Sequence, residues 1–306
     1  MMMNLPTNNK RPTLAFSGHE TFPLRQMWLK KVVDIADNNG DILKKSFSDA
    51  RLIAELGVGK NMLASMRHWA HCCEVIQEKS NGYVSVSDFG SKIFGLQGLD
   101  PYSEHPTTTW LVHWKLAQRE SKATTLYWVF NRINTPTFSK QELQEQLVSM
   151  CEKESKVVSL TSLSKDIDTN LRGYVSRAGN KHEDAADPIF SELNLLSNDK
   201  PGHYSFNRGA KPSLNKAAFT YALLEYWGRS KEISNTISLD EVVYGDSSPG
   251  KVFKLDEDSV IERLLELEQL TSGRIKWTDT AGIKQLSKTD FDFEALMGEM
   301  LRKAYD

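Results

Sequence analysis

"SFSDARLIAELGVGKNMLASMRHWAHCCEVIQEKSNGYVSVSDFGSKIFG", residues 46–95, decides the fold of the 306-residue chain. Its apolar spacing predicts a helix over Ser48–Leu56, a tight turn at Gly57-Val58-Gly59 and a second helix over Lys60–Cys73. A strand ending near Gln77, a turn over Lys79–Gly82, a strand over Tyr83–Val86 and a helix from Ser87 follow. Helix-turn-helix and then a β-hairpin is the winged-helix order. On the second helix, Met62, Leu63, Met66, Trp69 and Ala70 are expected to face a core. Lys60, Asn61, Ser65, His68 and His71 are expected to face outward, with Arg67 at the margin and Lys79 at the wing tip. Cationic, amide and hydroxyl donors of this kind suit phosphate oxygens and base edges, so these residues are the candidate DNA contacts. The alternative is a winged helix that joins protein to protein.

Upstream lies "FSGHETFPLRQMWLKK", residues 16–31. Leu24, Trp28, Val32 and Ile35 share one helical face, Pro23 suits a first turn, and Thr21 is a candidate N-cap. His19 and Glu20 then flank a helix start, with Arg25 one turn on. A histidine and a carboxylate can activate water and hold a divalent cation, an arginine can neutralise a phosphate, and a helix N-terminus favours an anion. His19, Glu20 and Arg25 are therefore the candidate catalytic residues. The competing reading makes Glu20 a partner of the helix dipole and His19 a hydrogen-bonded core residue.

Downstream, the aromatic-rich stretch from Asp100 to Ile133 reads as a helical hairpin, with the threonines at 107–109 as caps and the aromatics in its core. "TFSKQELQEQL", residues 137–147, opens a helix with Ser139 as cap and Glu142 completing a capping box. A helix over 159–177, a charged loop over Asn180–Asp187, a strand at His203–Asn207 and a helix from Leu214 follow. An amphipathic helix over 256–270 precedes "GRIKWTDTAGIKQL", residues 273–286, read as strand, turn and helix. The fold class is mainly α with small β-hairpins: a flexible arm over 1–13, a winged-helix unit over 14–98, and a helical region over 99–306 with one or two further winged-helix-like elements.

Hydrophobic content of 40%, charged content of 25% and a net charge of −2 are those of an ordinary globular chain, not of a uniformly basic polyanion binder. The charge is uneven: ten Lys/Arg against six Asp/Glu over residues 1–71, nine against fifteen over 239–306. Cys72, Cys73 and Cys151 form no disulfide framework and lack zinc-ligand spacing. With no leader and no long apolar run, a cytoplasmic protein without membrane contact is expected. "GVGK" at 57–60 is no phosphate loop, and no dinucleotide fingerprint or nuclease spacing is present. Glu104, Asp166, Asp168, Glu183, Asp184 and Asp187 remain as possible metal ligands, and Arg172 and Arg177 as possible anion contacts.

Taken together, "FSGHETFPLRQMWLKK", "LGVGKNMLASMRHWAHCCEVI", the aromatic stretch from Asp100 and "HYSFNRGAKPSLNKAAFTYALLEYW" at 203–227 resemble a bacterial family first catalogued as a domain of unknown function. Its members sit in DNA phosphorothioation and defence gene clusters, and its best-known branch is the SspB-like DNA-nicking proteins. The resemblance implies a nicking endonuclease dependent on Mg2+ or Mn2+. It also implies partnership with DNA, a cysteine desulfurase, an ATP pyrophosphatase and an ATPase. The alternative is a non-catalytic winged-helix adaptor that brings sulfur-transfer partners to DNA.

Overall fold

The computed structural model describes residues 14–175, 188–229 and 234–306; the expected loop over Asn180–Asp187, with Glu183, Asp184 and Asp187, lies outside them, as does Arg177. The first unit runs α1 (Trp28–Asp34), β1 (Asp41–Leu43), α2 (Ala50–Leu56), α3 (Lys60–Cys72), β2 (Ile76–Glu78), β3 (Tyr83–Val86) and α4 (Asp88–Phe94). Local chemistry sets these boundaries. The Asp49 carboxylate accepts the Arg51 N–H at 2.8 Å and starts α2. Gly57, at φ +62°, ends α2 in the left-handed conformation that glycine adopts without a Cβ clash. The Ser87 hydroxyl accepts the Gly90 N–H and starts α4. The expected hairpin gains a third strand, because β1 pairs antiparallel with β3 at Asp41↔Ser85 and gives the order β1-β3-β2.

Two helices follow, α5 (Pro106–Ala117) and α6 (Thr124–Asn131). Eleven of the twelve α5 residues are buried, so this helix is enclosed on all sides and lies at the centre of the molecule. Trp110, Trp114 and Phe130 are fully enclosed, as the core reading of the aromatics expects. The threonines are not caps. The His105 ring accepts the Thr107 N–H, and the three buried hydroxyls reach Ala304 O, the Asp100 carboxylate and Glu192. His113 pins this centre: Nε2 lies 3.0 Å from Val252 O and Nδ1 2.7 Å from the Tyr174 hydroxyl. Burial pushes its imidazolium pKa down to about 3.

The second unit comprises β4 (Thr137–Ser139), α7 (Lys140–Lys153), α8 (Leu160–Arg172), β5 (Leu196–Lys200) and β6 (His203–Phe206), with sheet order β4-β6-β5. The Ser139–Glu142 capping box forms as expected. After α9 (Lys216–Gly228), the third unit comprises β7 (Thr236–Ser238), α10 (Leu239–Tyr244), α11 (Pro249–Val252), α12 (Glu257–Leu264), α13 (Leu267–Leu270), β8 (Ile275–Thr280), β9 (Ile283–Lys288) and α14 (Phe293–Lys303). Its sheet has the same order, β7-β9-β8. Residues 283–286 are therefore strand, not helix: they pair with Trp277–Thr280, and the same strand pairs with the opening strand β7. The helix expected over 256–270 breaks at Leu265–Glu266, between α12 and α13.

One pattern thus occurs three times: an opening strand, a set of helices, and a hairpin whose last strand pairs back onto the opening strand. Ile42, Phe138 and Ile237, each at the middle of its opening strand, are buried alike. In sequence the second and third copies share "TFSKQEL" at 137–143 and "TISLDEV" at 236–242. In both, the strand serine turns into the helix N-cap and accepts the N–H of the glutamate three residues on, at 3.1 and 3.2 Å.

Lys254 sits fully enclosed just beyond α11. Its Nζ donates to Phe130 O at 2.8 Å and lies 4.0 Å from the Phe206 ring centroid. Burial, with Arg208 and Lys251 adding repulsion, pushes its pKa well below the lysine range. No helix among the described residues is long and apolar enough to cross a membrane.

Candidate nucleic-acid interface

Residues 15–22, the loop carrying the His19-Glu20 pair, do not begin a helix. Ser17, Gly18, Glu20, Thr21 and Met27 all have positive φ, and α1 starts only at Trp28. The expected start at Pro23 with a Thr21 cap fails because this run of left-handed residues is incompatible with helix. No helix dipole therefore gathers an anion at His19.

The loop is instead tied down from both sides. His19 is buried, with Nε2 2.8 Å from Asp166 Oδ1 and Nδ1 accepting the Thr21 N–H at 3.1 Å, so neither ring nitrogen is free. That pattern assigns the neutral tautomer with its proton on Nε2. The Asp166 carboxylate takes three further bonds: from Ser17 N–H at 2.8 Å, the Thr125 hydroxyl at 2.6 Å and the Asn170 amide at 3.1 Å. The Thr124 hydroxyl accepts the Ala15 N–H, and Arg172 Nη2 donates to Thr21 O at 2.9 Å. From α3, Trp69 Nε1 donates to Phe22 O at 3.0 Å and stacks on the His19 ring. Glu20 is exposed at φ +47° and makes no ion pair among the described residues. Arg25 is half-buried, its guanidinium 5.9 Å from the Phe22 ring and 5.7 Å from the Trp28 ring. No hydrogen bond or ion pair joins any two of His19, Glu20 and Arg25 among the described residues.

This loop also explains why α3 is buried on two sides. Leu63, Met66 and Ala70 face the expected core, while Ser65, His68 and Trp69 face residues 15–22. Ser65, expected outside, is fully buried and directs its hydroxyl at Phe22 O. His68, also expected outside, packs its ring on the loop: a Cβ at Gly18 would stand 2.5 Å from its Nδ1. Burial drives its pKa down to about 4, so it is neutral there. His71 is half-buried 3.3 Å from the Glu78 carboxylate, and burial together with Lys122 lowers it to about 4 as well. Arg67 lies over the Phe47 ring at 5.6 Å, and Lys79 is paired with Asp41 at 2.5 Å.

The free cationic surface is therefore smaller than expected and differently placed. Lys60 and Asn61 are exposed at the first turn of α3. Lys45 and Arg51, which charge alone did not single out, are exposed just before and within α2. Lys45 and Lys60 have no ion-pair partner among the described residues, and Arg51 pairs only with the neighbouring Asp49.

The described residues do not by themselves form a metal centre. Among the described residues, no three His, Cys, Asp or Glu side chains stand close enough to hold a cation. Both Asp166 oxygens already accept two bonds each, and Asp168 pairs with Lys140 at 2.7 Å. Cys72 and Cys73 are buried thiols, Cys72 pushed up to about 12 by burial.

The family model described as "Protein of unknown function (DUF4007)" matches residues 16–305. The chain belongs to DUF4007. No curated protein matches the DUF4007 chain in sequence. Two solved structures share its fold. A crystal structure of SspB has a TM-score of 0.84 at 25% identity, covering 95% of this chain and 88% of that one. A magnesium-ion-bound crystal structure of SspB has 0.83 at 24% identity, with the same coverage. This DUF4007 chain is SspB-like.

Proposed function

We propose that the chain is the DNA-binding SspB-like component of a bacterial DNA phosphorothioation and anti-phage defence system. The observation that carries this reading is the first unit. Its order of helix, strand, two helices and two strands is that of a winged helix, with α3 as the recognition helix and β2–β3 as the wing. The outer end of α3 and the neighbouring α2 offer Lys60, Arg51 and Lys45 to phosphates and Asn61 to a base edge. Similarity to SspB supports the system context, in which a cysteine desulfurase, an ATP pyrophosphatase and an ATPase are the proposed partners.

Of the two roles weighed from the sequence, the geometry favours the adaptor. His19 has no free nitrogen, and the described residues hold no cation cluster. The nickase reading keeps one supporting observation, the magnesium-bound state of a structural neighbour. The test is a pair of assays on one preparation. Duplex binding by fluorescence anisotropy is expected to weaken in Lys60→Glu and Arg51→Glu at unchanged melting temperature. Conversion of supercoiled plasmid to open circles is measured with Mg2+ and Mn2+, and metal-dependent nicking lost in a folded Glu20→Gln variant reinstates the nickase.

A further inference from the structure

The signature loop touches two of the three repeated units at once, and it meets them at equivalent helices. α3 and α8 are each the long helix that precedes its unit's hairpin. α3 packs chiefly on α1 and on the helical turn Lys44–Ser48, and α8 on α6 and α7, so neither helix rests squarely on the other. Between them run residues 15–22. On one side Trp69 and Ser65 reach Phe22 O and His68 packs on Gly18. On the other, Asp166 of α8 gathers Ser17 and His19, and Arg172 of α8 holds Thr21 O. A loop with several left-handed non-glycine residues stores strain and persists only where its surroundings over-determine it. Asp166, with four donors on two oxygens, is the group that does so.

The second unit also presents phosphate chemistry. Lys153 and Lys156 at the turn between α7 and α8, Lys165 on α8 and Lys200 in its hairpin are exposed, and none has a carboxylate partner among the described residues. Thr161 and Ser162 add hydroxyls on the exposed first turn of α8. Lys60 and Asn61 occupy the matching first turn of α3.

We infer that Asp166 is a positioning residue: through the 15–22 loop it locks α3 and α8 in one fixed relation, so that the first two units grip a single DNA duplex together. This rests on the DNA-binding reading above, but its mechanical half does not. Two units held rigidly gain affinity from simultaneous engagement, and that gain disappears when their relation is loose.

The experiment has two arms. Spin labels are placed on the full-length protein at Asn61→Cys and Thr161→Cys, both exposed, with the native cysteines buried. Distance distributions between the labels are then compared for Asp166 and Asp166→Asn, with Arg172→Met as a milder variant should the asparagine protein not fold. In the second arm, affinity is measured for duplexes of about 12 and about 24 base pairs, roughly one and two helical turns. The expected result is one narrow distance with Asp166 and a broadened one in the variants. The longer duplex is expected to bind about 10- to 100-fold tighter, a gain the variants lose while their short-duplex affinity is unchanged. Identical narrow distributions in all proteins overturn the clasp. A wild-type protein that binds the short duplex with no gain for the long one overturns the two-unit grip. Binding to neither duplex overturns the DNA reading instead, and the distance arm still judges the clasp.

Discussion

Replacing Lys254 with methionine tests the electrostatics of the core. Lys254 has no carboxylate partner among the described residues; its Nζ has one carbonyl, Phe130 O, and the faces of Phe130 and Phe206. Burial holds its pKa well below the ordinary lysine value of 10.5, so the folded protein binds fewer protons at this site than the unfolded chain does. Between the depressed value and 10.5, stability must rise with pH. The slope is about 1.4 kcal/mol per pH unit where the folded lysine is neutral and the unfolded one charged. Methionine has similar length, cannot titrate and removes that slope. It also leaves Phe130 O without its donor, at about 1–3 kcal/mol, but this loss does not depend on pH. The difference in unfolding free energy between wild type and Lys254→Met, from urea titrations in matched buffers, should therefore grow in favour of wild type as the pH rises toward 10.5, by up to about 1.4 kcal/mol per pH unit. In melting temperature each such pH unit is a relative gain of about 2 °C at most. Parallel stability profiles for the two proteins over that range would refute the reasoning and show that Lys254 keeps its proton in the fold.

Other outcomes follow from the loop and the α3 face. His19→Ala should lower stability by about 2–4 kcal/mol in urea, since it removes two hydrogen bonds and a ring stacked on Trp69; unchanged stability with loss of a DNA-directed activity would return His19 to catalysis. Gly18→Ala, at φ +100° and against His68 Nδ1, should cost about 1–3 kcal/mol, and adding His68→Ala should recover the steric part of that cost in a double-variant comparison. Lys60→Glu should flatten the dependence of log affinity on log salt by about one unit, the share of a single neutralised phosphate, and a slope equal to that of wild type would remove Lys60 from the interface.

Much of the fold was legible because it is local. Ser87, Tyr83–Val86, Lys60 and the Gly57 turn fall where period and capping place them. Strands β1 and β7 were not legible. Each is three residues long and is defined by pairing with a strand forty or more residues away, which leaves no periodic signal. The repeat "TFSKQEL"/"TISLDEV" was in plain view, but two short matches 99 residues apart gain meaning only once both are seen opening a sheet. At the site, residue types pointed to the loop correctly but not to its geometry. Asp166 is one carboxylate among several, and nothing in spacing links it to His19, 147 residues earlier. Ser65 and His68 were placed outside because one helix offers one apolar stripe to a sequence reader, whereas α3 is covered on a second side by a loop.

That long separation has a consequence during synthesis. The loop of residues 15–22 leaves the ribosome before its anchor exists, since Asp166 is made 147 residues after His19. At about 5–20 residues per second the interval is roughly 7–30 s. Once Val86 has been made the first unit can close its own sheet, but until Asp166 follows its signature loop has only the Trp69 and His68 side to lie against. The three units can assemble in chain order as each hairpin emerges, whereas the joint between the first and second closes only when α8 is complete.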